Sequence, residues 1–232
     1  MRRAATGAIV LAFLALWSAR DASAWFDASS GTLIVPSPTH LQQGPGPRGG
    51  VFGPRSAPIR WRDSKALGTP GAGRLVRGVR FPARGELFFT WDPVLRRSPN
   101  RAGRRWGTDD LVRTVLRVIR SYAREHPSAP RVGVGDLSLR HGGYFGPKHA
   151  THQNGLDADL YYPRKDRRER PPRRVDQVDQ RLSQVLVDLF VAAGADVVYV
   201  GPNLRLSGPR GVVQPLWNHD NHLHVRIRAA QN

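Results

Sequence analysis

Two short stretches hold most of the side chains that could do chemistry. "KHATHQNGLDADLYYP" (148–163) carries His149, His152, Asp157 and Asp159; "NHDNHLHVRIR" (218–228) carries His219, His222 and His224. Five of the eight histidines in the chain fall within 149–152 and 219–224. Two imidazoles and one carboxylate make a ligand set for Zn²⁺, and three protein ligands leave a position open for water. A metal-bound water of lowered pKa is the nucleophile that a hydrolase needs. The candidate metal ligands are His152, Asp159 and His224. His222, two residues before His224, is the candidate general base. His149 and His219 are further imidazoles that could polarise a carbonyl or stabilise an oxyanion. Asp157 could bond the far nitrogen of a ligand histidine and fix its tautomer. Taken singly, each of these is more commonly a surface or loop residue. Their joint clustering points to a site.

The elements that must position them are strands. Alternate residues of a strand share a face. In "GLDADLY", Leu156, Ala158 and Leu160 take one face and Asp157, Asp159 and Tyr161 the other. In "HLHVRI", Leu223, Val225 and Ile227 oppose His222, His224 and Arg226. If the two strands pair, Asp159 and both histidines line one cleft, and His152 reaches it from the loop before the first strand.

The rest of the chain supplies the frame. "GTDDLVRTVLRVIRSYAREHP" reads as a helix with Thr108 as N-cap and Asp109 and Asp110 in its positive first turn. Leu111, Val115, Val118, Ile119 and Tyr122 recur at helical spacing, and Pro127 ends it. "VDQVDQRLSQVLVDLFVAAGA" reads as a second helix, with Val178, Leu182, Val185, Leu186 and Leu189 inward and Gly194 at its stop. "GRLVRGVRFP", "GELFFTW", "RVGVGD" and "DVVYVG" read as short strands. The irregular interleaving predicts an α+β domain with an antiparallel sheet and flanking helices. The basic loop "RKDRRERPPRR" (164–174) reads either as a solvated loop or as a contact for wall polyanions.

Composition bounds the setting. The 232 residues carry a net charge of +18 and no cysteine. Such a surface attracts polyanions: nucleic acid, anionic lipid or an anionic wall polymer. Without cysteine, any metal falls to histidine and carboxylate. The first residues, "MRRAATGAIVLAFLALWSARDASAWF", have the basic, apolar and small-residue order of a secretory signal at 1–24, cleaved after Ala24. The competing reading is an uncleaved anchor, although the apolar run is short for a membrane span. Residues 25–61 read as a Pro/Gly-rich arm, with His40 alone in it, and 62–232 as the folded domain. Export to the periplasm or cell wall moves the chain away from intracellular nucleic acid, and no aromatic–basic recognition motif accompanies the charge.

"GDLSLRHGGYFGPKHATHQNGLDADLYYP" followed by "WNHDNHLHVRI" resembles the penicillin-insensitive murein endopeptidases. These are similar to a wider group of zinc peptidases that includes D-alanyl-D-alanine carboxypeptidases, lysostaphin and hedgehog domains. The shared pattern is His152, six residues, Asp159, and the distant His222-Leu223-His224. The "GDLS…GG" lead-in at Gly135–Gly143, His149 and His219 add to it, and weaker similarity reaches back to residues 64–82. The resemblance implies Zn²⁺ on His152, Asp159 and His224, with His222 as base and His149 and His219 in the active site. It implies hydrolysis of D-alanine–diaminopimelate crosslinks in peptidoglycan, with anionic wall polymers as further partners. The chain departs from the family in lacking cysteines. Two alternatives use the same residues: a D-alanyl-D-alanine carboxypeptidase, and a non-catalytic wall-binding module.

Overall fold

The computed structural model describes residues 25–27, 32–34, 58–147 and 149–229. The signal segment, most of the arm and His40 lie outside the described residues. The chain divides into two compact units, Met1–Pro47 and Arg48–Asn232. In the first, β1 (Trp25–Asp27) pairs antiparallel with β2 (Thr32–Ile34).

The second unit holds the sheet that matters for function. After a hairpin of β3 (Lys65–Thr69) and β4 (Ala72–Val76), β5 (Val79–Arg80) pairs with β7 (Trp106–Gly107). The main sheet comprises β6 (Phe88–Thr90), β8 (Val132–Val134), β9 (Asp157–Tyr161), β10 (Ala195–Val200), β11 (Val213–Pro215) and β12 (His222–Ile227). Its six strands run in the order β11–β10–β12–β9–β8–β6. The inner pairs are antiparallel, as expected, but β10–β11 and β6–β8 are parallel, so the sheet is mixed. The parallel edges come from crossovers: β6 reaches β8 through the first helix, and β10 reaches β11 through an irregular loop. The α+β class stands; the wholly antiparallel sheet does not.

Two helices cover one face. Helix α1 (Asp109–Glu125) starts at Thr108, whose side chain accepts a hydrogen bond from the Leu111 N–H at 3.1 Å. Asp109 in the first turn does more than face the helix dipole. Its carboxylate accepts from the backbone N–H groups of Arg62 (2.9 Å) and Ser64 (2.7 Å), tying the entry of the domain to the helix. Helix α2 (Gln180–Ala192) is capped by Asp179 and preceded by a 3₁₀ turn at Val175–Gln177. Its inward face is Leu182, Leu186, Val187 and Phe190; Val185 and Leu189 are only half-buried, a rotation from the predicted face. Leu111, Val115, Ile119, Leu186 and Phe190 meet Ala158, Leu160, Leu223 and Val225 in one core. Each such aliphatic or aromatic burial contributes about 1.5–3 kcal/mol. The anchored apolar face leaves the opposite face of β9 and β12 for polar groups.

The 164–174 loop is not a free solvated loop. Arg164 is buried and donates to both carboxylate oxygens of Asp166 (2.7 and 2.5 Å) and to Gln177 Oε1 (2.7 Å). Arg131 grips Glu169 with two bonds of 2.6 Å. Ionic pairing inside the loop, invisible in a count of like charges, holds its path.

Candidate metal centre

Strands β9 and β12 lie side by side and antiparallel, with Asp159 opposite His224, Tyr161 opposite His222 and Asp157 opposite Arg226. Residues 65 apart in sequence thereby meet. Three imidazole nitrogens converge on one carboxylate oxygen. Asp159 Oδ1 lies 3.1 Å from His224 Nδ1, 3.3 Å from His152 Nε2 and 3.8 Å from His222 Nε2.

Each ring is oriented from behind. His152 Nδ1 donates to the Leu137 carbonyl, which leaves Nε2 facing Asp159. His224 Nε2 bonds Asp157 Oδ1 at 2.8 Å, which leaves Nδ1 facing Asp159. The tautomer-fixing role expected of Asp157 thus has its geometry. The same oxygen takes the Arg226 Nε–H at 2.8 Å. His222 Nδ1 bonds Asn221 Oδ1 (2.7 Å), and His219 Nδ1 bonds the Trp217 carbonyl (2.8 Å). The His219 and His222 rings stack with centroids 4.6 Å apart.

His152 holds a left-handed backbone, φ 68°. A non-glycine residue there is strained by about 1–2 kcal/mol. The strain is held by Ser138 Oγ–H donating to the His152 carbonyl and by the His152 N–H bonding Asp157 Oδ2 at 3.3 Å. The loop before it closes at Gly142 (φ 68°), where an added Cβ would stand 2.1 Å from the Gln153 carbonyl oxygen. Only glycine fits that turn.

Electrostatics divide the imidazoles. Burial would raise the Asp159 carboxyl, but His152 and His222 with hydrogen bonds from His152 and His224 hold it well below the carboxylate range. Burial opposes charging His224 as well, yet its bonds to Asp157 and Asp159 push it up to about 9. His222 lacks such bonds, and burial pushes it down to about 4. Burial also lowers His149 and His219.

His149 sits on the far side of His152. Its Nε2 accepts from Arg104 Nη2 at 3.2 Å. Arg104 donates to both oxygens of fully buried Asp136 (2.8 and 2.5 Å) and lies over the Phe145 ring at 4.3 Å. Phe145 in turn packs against His149 and His152, at 4.8 and 5.4 Å between centroids. Sequence reasoning missed Arg104, which nothing distinguishes among so many arginines. Asp136 and Ser138 were within the quoted "GDLS" but had no role until Arg104 and the His152 carbonyl were placed beside them.

His149, His152 and Asp159 form a group whose ligand atoms all lie within 4.8 Å of one another and could hold a metal ion. Among His152, Asp159 and His224, two donor separations match the spacing of a zinc site. Bonds of about 2.0–2.1 Å in a tetrahedron place ligand atoms ~3.3 Å apart, and the separations about Asp159 Oδ1 are 3.3 Å to His152 and 3.1 Å to His224. Of the expected site residues, all six stand around this centre: His149, His152, Asp159, His219, His222 and His224. Among the described residues, no helix is long and apolar enough to cross a membrane.

A mixed-sheet α+β protein whose strands carry a histidine–carboxylate cluster able to hold a metal is the class this structure defines. Comparison with known proteins narrows it: the chain belongs to the penicillin-insensitive murein endopeptidase family, whose profile matches residues 66–197. That span includes His149, His152 and Asp159 and ends before His219. The chain is 24% identical to the penicillin-insensitive murein endopeptidase of Haemophilus influenzae over 198 residues, 73% of this chain and 66% of that protein. It is 28% identical to the one from Salmonella heidelberg over 191 residues, 71% of this chain and 66% of that protein. The matched region thus spans just under two thirds of these relatives.

Proposed function

We propose that this protein is an exported zinc peptidase that hydrolyses D-alanine–diaminopimelate crosslinks of peptidoglycan in the periplasm or cell wall. Membership of a family named for murein endopeptidases supports the substrate. The 1–24 segment supports export, with 25–61 as an arm and 62–232 as the catalytic domain. The observation that carries the reading is the convergence of His152, His224 and His222 on Asp159 Oδ1. The α+β sheet is read as that of the wider group of hedgehog- and D-Ala-D-Ala-peptidase-like zinc enzymes.

His152, Asp159 and His224 would hold the zinc. When bound, zinc lowers the pKa of a coordinated water and polarises a carbonyl. The chain's own residues do the rest. Asp157 fixes the His224 tautomer through the 2.8 Å bond to Nε2. His222, pushed down to about 4, is neutral at pH 7 and oriented by Asn221, so its Nε2 is free to take a proton. The same nitrogen then returns that proton to the leaving amine. His219 and His149 flank this base and the metal set and stabilise the oxyanion.

A second ligand set has its own support, since His149, His152 and Asp159 form the compact group noted above. Against it, the Arg104 guanidinium already donates to His149 Nε2. Zinc titration separates the two: His224→Ala should abolish tight binding and His149→Ala should not. For the activity, purified mature protein is tested for zinc content and incubated with crosslinked muropeptide dimers, with products read by mass spectrometry. Release of monomers is expected. A protein that holds one zinc per chain yet leaves the crosslinks intact sinks the proposal, and loss of terminal D-alanine alone makes it a carboxypeptidase.

A further inference from the structure

Beside the histidine cluster lies a cavity of about 820 Å³, walled on one side by the 170–174 part of the basic loop. It reaches Tyr161, two residues from Asp159 on β9, and Asn221, which orients His222. Whatever fills it touches the neighbours of the proposed base. Four arginines line it: Arg96, Arg170, Arg173 and Arg174, the last already paired with Asp176 at 2.8 Å. Several arginines around the sheet are spoken for: Arg101 by Asp92, Arg104 by Asp136, Arg131 by Glu169, Arg164 by Asp166 and Arg226 by Asp157. Arg170 and Arg173 use only their backbone N–H groups, toward the Arg168 carbonyl and Gln177 Oε1. Among the described residues, no acceptor meets the side chains of Arg96, Arg170 or Arg173. Arg170 Nε is buried as well as unpartnered. Guanidinium groups that line a cavity and have no carboxylate of their own are a place for an anion.

We propose that this cavity is a carboxylate-reading subsite, which seats an acidic strand of the peptide substrate against Arg96, Arg170 and Arg173. The inference rests on the reading of the chain as a wall peptidase and names the chemistry by which its substrate is held. The single carboxylate in the lining, Asp220, does not compete: it accepts from the Asn203 backbone N–H (3.2 Å) and Nδ2 (2.7 Å). Pro171 and Pro172 stiffen the wall between the two loop arginines, so little loop entropy is lost on binding. Planar guanidinium groups match carboxylates in two-bond geometry. A recess one residue from His222 suits a peptide carboxylate being positioned for cleavage, whereas a long polyanion needs an open track.

The test uses the mature, zinc-loaded chain and two probes: a crosslinked stem-peptide dimer with free carboxylates, and the same dimer with those carboxylates amidated. Binding is read by titration calorimetry and KM by product release. Amidation should raise the wild-type Kd about tenfold, the size expected for losing one charge-assisted hydrogen bond. R170Q/R173Q should raise Kd and KM for the free-acid dimer by a similar factor and erase the preference between the two dimers. The exposed Arg181→Gln change on α2 should keep the preference. If the double variant fails to fold by circular dichroism, Arg173→Gln and Arg96→Gln, both at exposed positions, carry the test. Equal wild-type affinity for both dimers, or a preference that survives the double variant, overturns the proposal. The underlying reading fails separately: preferential binding without cleavage keeps the subsite and removes the peptidase, and cleavage without preference does the reverse.

Discussion

Replacing His222 with alanine separates the proton-transfer role from the metal set. His222 Nε2 stands 3.8 Å from Asp159 Oδ1, against 3.1 Å for His224 and 3.3 Å for His152. The two nearer nitrogens match the ~3.3 Å edge of a tetrahedral site, and the third lies outside it. His222→Ala should therefore keep about one zinc per chain. The ring keeps 19% of its surface exposed, so water can reach the space it leaves. Its pKa, pushed down to about 4, leaves it neutral at pH 7, so its Nε2 can accept a proton in the wild type, and the variant has no such acceptor. Removing a positioned general base costs about 10²–10⁴-fold in rate, or ~3–5 kcal/mol of barrier. The assay is kcat on a defined muropeptide dimer by chromatography, with metal content on the same sample. Loss of zinc along with activity would place His222 among the ligands, and kcat within tenfold of wild type would remove it from catalysis. Either result refutes the assignment.

Two further outcomes follow from the surrounding contacts. Asp157→Asn removes the charge that holds His224 Nε2 and Arg226, both at 2.8 Å; zinc affinity by chelator competition should fall about 10–100-fold, and unchanged affinity would show that Asp157 does not orient the ligand. At the start of α1, burial raises Asp109 but bonds from Ser64 and Arg62 lower it below 3.8 overall. A depressed folded pKa contributes stability above the unfolded value and loses it as pH falls through the folded one. The melting temperature of Asp109→Asn should thus trail wild type at pH 7 and begin to converge with it only as pH falls below about 4 toward the folded pKa, while a gap constant with pH would argue against the ionised contact.

Much of the site was legible because strands and helices write their periods locally. The alternation in "DADLY" and "HLHVRI" sorted Ala158, Leu160, Leu223 and Val225 into the core and Asp159, His222 and His224 onto the other face. Thr108 announced the start of α1 because a short hydroxyl side chain meets the free N–H groups of a first turn. The inward face of α2 was read less well. Val185 and Leu189 fit the period, but the helix rolls to bury Val187 and Phe190, a choice made by the surface it packs on.

The sequence by itself thus determined the donor types, their two clusters and the faces they occupy. Tertiary structure decided the rest. It set Asp159 opposite His224 across 65 residues, because register depends on how two whole strands fit and not on either alone. It made the edges of the sheet parallel, since the crossovers return β8 and β11 in the direction of their neighbours. And it assigned the arginines. A guanidinium reads the same in sequence whether it grips Asp136 behind His149, as Arg104 does, or faces a cavity unpartnered, as Arg170 does; only the packing of distant loops settles which carboxylate comes within reach.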